Sequence, residues 1–277
     1  VTALEQLSLG SICLARGVRA AFRPALWRRW WPVPLALGVV VLAIAASPLP
    51  ILSAFMAPLL RLISGEDVLH FPLLLQRLAP LVSRADVLVW ALVAPPCAGG
   101  VIRALAAGFG HPAPAVRSRG SEAVQLVVAM LPVTLVALLV QAGLDALPFL
   151  RVSSLSRFVL PWLSTALVLG LRAAFLCVCA ELVLDGTTAL GALAVIPRAM
   201  EHAFLPALLL LLLLSPPAIL FAWAEPLAAA GRWRQSPELA LPLALAHAAY
   251  LAWAGLAACA AATVLWLGAL APGEELR

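Results

Sequence analysis

The chain contains no lysine: all 18 of its positive charges are arginine. Charge of either sign is scarce, at 11% of residues against roughly a quarter in ordinary soluble domains. That scarcity excludes a water-soluble globular fold. Hydrophobic residues make up 64% of the 277 positions, and a single soluble core stops growing at about this length. The arginines sit singly between apolar runs, with no aromatic-interleaved patch and no basic tail. Nucleic-acid binding is therefore not expected despite a pI of about 9.5. Placed between apolar runs, they read as determinants of membrane topology and as headgroup contacts.

Cysteine is also scarce, and odd in number: Cys13, Cys97, Cys177, Cys179 and Cys259. There is no CxxC pair, and Cys177-Val178-Cys179 is not a zinc spacing. The five read as small apolar residues packed between helices. The chain lacks a GxxxxGK[ST] phosphate loop, an HExxH pair and a GxSxG elbow. Its four histidines, His70, His111, His202 and His247, are far apart. Glu201 and His202 are neighbours, but adjacent residues project about 100° apart on a helix and do not chelate together. No catalytic residue, metal or cofactor is expected.

What the sequence has in abundance is long apolar runs, with a mean hydropathy of +1.05. They place the whole chain, residues 1–277, in one integral membrane domain: an all-α, polytopic transmembrane helix bundle. About six spans are expected, at residues 31–60, 87–109, 123–147, 158–184, 204–224 and 241–270. The fifth carries no charge and has about the 20 residues that cross a bilayer. Pro48 and Pro50 interrupt the first, so its far end is expected to kink or unwind.

Amphipathic segments precede or join the spans. In residues 3–23, Leu4, Leu7, Leu14, Val18 and Phe22 share one face, while Arg16, Arg19 and Arg23 share the next. That pattern suits a helix lying in the headgroup plane; an ordinary helix packed on the bundle is the plainer reading. Arg28, Arg29, Trp30 and Trp31 follow, and arginine with tryptophan marks a membrane–water boundary. The charged leader is too long for a signal peptide, so no cleavage is expected. A short amphipathic helix is expected near residues 71–82, and another at 188–203 after the Asp185-Gly186-Thr187 turn. Six spans put both termini on one side. Arg16, Arg19, Arg23, Arg28 and Arg29 argue that this side is cytoplasmic. The preference for arginine over lysine, with abundant alanine and leucine, fits a bacterial inner membrane.

Polar residues within spans are the sharper signal for function, because a lone charge in hydrocarbon costs several kcal/mol. Arg172 stands mid-span, with Glu181, Asp185, Asp145 or Glu122 as possible partners. It reads either as a structural ion pair or as a substrate or lipid-phosphate contact. His247 lies in the sixth span with Tyr250 one turn on; an interhelical hydrogen bond is the plainer reading and a proton relay the sharper one. Pro95-Pro96 and Pro216-Pro217 break the second and fifth spans. In an inverted three-plus-three repeat these breaks correspond, a pattern found at transporter binding sites.

The run from Glu181 to Leu193 ends a span in an acidic turn and starts an Ala/Leu-rich helix that carries Arg198 into another span. The helix at Leu9-Gly10, Arg16 and the Trp27–Trp31 boundary precede the first span in the same way. Together these resemble bacterial six-helix families similar to the membrane domain of glycerophosphodiester phosphodiesterases. The resemblance implies a membrane module without a hydrolase domain, since no segment here has alternating strands and helices, and it carries over no catalytic residue. The expected role is a non-enzymatic scaffold or accessory one, acting on lipids, through anionic headgroups, or on a protein partner. The alternative is a small-molecule permease built around the proline breaks and Arg172.

Overall fold

The computed structural model describes residues 3–47, 49–64, 78–111, 118–146, 176, 178–194 and 240–270. Among the described residues every regular element is an α-helix and none is a strand. The helices are α1 (Ala3–Ala21), α2 (Pro24–Trp30), α3 (Pro32–Ala45), α4 (Pro50–Ser64), α5 (Leu78–Leu92), α6 (Ala94–Gly108), α7 (Arg119–Ala146), α8 (Ala189–Ala194) and α9 (Ala240–Leu270). Several starts follow from proline. Pro24, Pro32 and Pro95 occupy the first turn of α2, α3 and α6, where a missing N–H costs nothing and a fixed φ suits the helix. Helix α6 stops at Gly110, whose φ of +78° is open to glycine, and the His111 N–H closes the end by donating to the Ala106 carbonyl.

Helix α9 is the axis of the bundle. Alanine lines it at Ala244, Ala248, Ala252, Ala257, Ala260 and Ala261, all buried. Small side chains let neighbouring backbones come close, which is the main source of attraction where lipid removes the hydrophobic drive between helices. Helix α1 runs antiparallel to it. Cys13 packs with Val264 and Leu265, and Phe22 meets Trp253 at 6.0 Å between ring centroids. Between them, a Cβ on Gly17 would fall 2.6 Å from the Ala257 carbonyl oxygen and 2.6 Å from Ala261 Cβ. Helix α1 thus takes the C-terminal half of α9, and α3, with Val33, Leu37, Val41 and Ile44 buried, packs on both α9 and α5.

Two broken helices meet at one level of α9. The α2–α3 pair bends by 54°, and residues Ala85–Leu92 bend by 52° against α6. The indoles that end the first halves, Trp30 and Trp90, pack edge to face at 6.2 Å. Gly255 of α9 lies under both: a Cβ there would stand 2.7 Å from Trp90 Cζ2 and 3.1 Å from Trp30 Cζ2. Trp30 also donates its indole N–H to the Ala252 carbonyl at 2.8 Å, the partner a buried indole needs. Helix α7 packs across both α5 and α6.

The outer faces are apolar at helical spacing. Leu35, Val39 and Leu42 on α3, and Val124, Val128, Leu131, Leu135 and Leu139 on α7, are all exposed. Helices α7 (over Arg119–Val136) and α9 (over Leu241–Leu267) are long and apolar enough to cross a membrane. Each bent pair, counted as one span, raises the number to four. These are the helices of a membrane protein by length and composition.

The break expected at Pro48 and Pro50 is present: α3 ends at Ala45 and α4 begins afresh at Pro50, where proline starts a helix but cannot continue one. Helix α1 packs on α9 through Gly17, as an ordinary helix of the bundle does. Trp30, expected at the membrane surface, is wholly enclosed in the core. The expected fifth span, most of the fourth and most of the helix at 188–203 lie outside the described residues.

Candidate functional site

Arginine is concentrated from the end of α1 through α2. Arg19, Arg23, Arg28 and Arg29 are exposed there, and Arg16 is half-buried. Two apolar rings are exposed among them, Phe22 at 70% and Trp31 at 55%. Directly beyond Trp31 the outer face of α3 turns wholly apolar. Arginine, aromatic ring and apolar helix follow in the order of headgroup, interface and hydrocarbon. Burial of the Cys13 thiol, partly offset by Arg16, pushes its pKa up to about 11.

Beside this rim two helices are tied by charge. The Arg103 guanidinium holds the Glu122 carboxylate bidentately, Nε donating to Oε1 at 3.1 Å and Nη2 to Oε2. Glu122 is buried, whereas the Arg103 side chain keeps 29% of its surface. Gly99 makes room for the pair: a Cβ there would fall 2.8 Å from Leu126 Cδ1 and 3.0 Å from Glu122 Oε1. One residue on, Gly100 lets Arg29 lie flat along α6, its Cβ, Cγ and Cδ within 4.0 Å of where a glycine Cβ would be. Arg29 Nη1 then donates to the Gly100 carbonyl at 2.7 Å. Helix α7 also holds α8 in place, because Gln125 Oε1 accepts the Ala189 N–H at 2.9 Å.

The other sequence candidates are dispersed. Glu181 is buried near the end of the helical residues 178–184, hydrogen-bonded to Asp185, on the side of α6 where Val183 approaches Gly99. His247 is buried two turns before Gly255 on α9. Pro95 is buried and Pro96 exposed in the first turn of α6, just after the bend. Arg172, Pro216 and Pro217 lie outside the described residues. Among the described residues no three of His, Cys, Asp and Glu come together to hold a metal ion.

Sequence reading missed the Arg103–Glu122 pair and the seat of Arg29 on Gly100. A signal was there for the first: Arg103 ends one apolar run, Glu122 begins the next, and a turn-rich connection makes the two a hairpin. Comparison with protein-family models, with curated proteins and with solved structures finds no match.

Proposed function

We propose that this chain is a six-span protein of a bacterial cytoplasmic membrane, N-terminus inside, that serves as a non-enzymatic scaffold or accessory component engaging anionic lipid headgroups. The observation that carries this reading is the arginine–aromatic rim: Arg19, Arg23, Arg28 and Arg29 exposed around Phe22 and Trp31, where the apolar face of α3 begins. Each arginine near an anionic surface contributes about 1 kcal/mol. The sequence pattern that resembles the membrane domain of glycerophosphodiester phosphodiesterases would fit a membrane module of this kind.

The test uses the full chain in nanodiscs of mixed phosphatidylglycerol and phosphatidylcholine. Wild type should enrich phosphatidylglycerol around itself, the more so at low salt. The triple variant Arg19→Gln, Arg23→Gln, Arg28→Gln should lose most of that enrichment. Equal enrichment in the two proteins would sink the lipid reading.

A permease is the second reading, and one observation favours it: two broken helices bend at the same level of α9. On that reading Arg172→Ala abolishes solute flux in reconstituted vesicles without unfolding the protein, and undiminished flux removes it.

A further inference from the structure

We infer that the edge of α6 between Gly100 and Arg103, with Arg29 laid across it, is a binding site for one phosphate group. Three observations converge on it. First, both guanidiniums are oriented before any ligand arrives: Arg29 by the Gly100 carbonyl at 2.7 Å, and Arg103 by Glu122. Second, Gly100 and Arg103 are three residues apart, so they share one strip of the helix and the two arginines stand as neighbours on it. Third, the charge is unbalanced. Arg103 is matched by Glu122, Arg29 meets a neutral backbone carbonyl, and Arg119, exposed one turn before Glu122 on α7, adds a further cation.

Glu122 is buried on Arg103, while Arg29 is exposed and Arg103 partly so. The carboxylate therefore anchors the site and leaves its open side cationic. Guanidinium presents N–H groups in a planar fork that matches phosphate oxygens, and fixing the fork beforehand spares the entropy of ordering it. The depth suits a lipid-borne phosphate. Arg29 immediately precedes buried Trp30 and exposed Trp31, after which the outer face of α3 is apolar. The choice of a lipid as carrier rests on the headgroup reading above; the phosphate chemistry itself does not.

Native mass spectrometry of the full detergent-solubilised chain tests this with phosphatidylglycerol, with diacylglycerol as the same chains without phosphate, and with inorganic phosphate. One phosphatidylglycerol should bind more tightly than the rest. Arg29→Gln should weaken that lipid about tenfold at an unchanged melting temperature. Arg29→Lys keeps the charge but loses the fork, and should weaken it several-fold. A tight phosphatidylglycerol assigns a lipid headgroup, whereas saturation by inorganic phosphate alone assigns the free ion; either supports the site. Diacylglycerol binding as well as phosphatidylglycerol, or full affinity in both Arg29 variants, overturns it. The triple rim variant separates the two ideas. Losing bulk enrichment while keeping the one tight lipid leaves this site standing, and the reverse pattern in Arg29→Gln leaves only the rim.

Discussion

Glycine decides several of the closest approaches in this bundle, and the decision differs from one glycine to the next. Gly255 sits beneath two indoles with no space for a methyl group, whereas Gly38 on α3 has nothing within 4 Å of where a Cβ would be. The two should respond oppositely to the same change. Gly255→Ala forces Trp30 and Trp90 apart and should destabilise by about 1–3 kcal/mol, the usual cost of overpacking. Gly38→Ala adds only helix propensity and should stabilise by up to about 1 kcal/mol. Thermal unfolding of the detergent-solubilised variants reads both, and a Gly255→Ala protein as stable as Gly38→Ala would contradict the packing described. At this scale the sequence was partly legible. Arg28-Arg29-Trp30-Trp31 marks a boundary, but a local pattern does not say which tryptophan faces inward. Trp30 does, because the bend after it turns its ring onto Gly255, a partner 222 residues or more along the chain.

Among the elements, α6 and α7 are held by an ion pair half in and half out of the protein. Removing one partner strands the other: Glu122→Ala leaves Arg103 beside an apolar wall. The cost should be about 2–3 kcal/mol, below that of a fully enclosed pair because Arg103 keeps some contact with its surroundings. Replacing both, as Arg103→Met with Glu122→Leu, removes the desolvation penalty with the attraction and should return stability to within about 1 kcal/mol of wild type. A double variant no better than the single would mean that the hydrogen bonds, and not the stranded charge, carry the effect. The hairpin itself could be foreseen from the polar connection between two apolar runs. The pairing across it could not, because Glu122 stood only as one of several possible partners for Arg172, and spacing alone does not rank them.

For the whole molecule, composition was enough to define the class. With 64% hydrophobic residues in long continuous runs and 11% charge, helices that satisfy their own backbone groups are the structure that suits lipid, and helices are what the described residues form. The number and direction of crossings are subtler, since hydropathy does not distinguish a straight span from a bent one. On the six-span proposal with the N-terminus inside, a reporter fused after Arg277 should be active in its cytoplasmic form and silent in its periplasmic form. The opposite result would invert the topology. The order of assembly follows from the fold as well. Trp30 and the small face of α1 have their seat on α9, which is synthesised long after them. Until α9 is made, Trp30 and the packed face of α1 lack that seat. A stall or cut before α9 should leave helices inserted but unlocked, a substrate for membrane quality control rather than a smaller working protein.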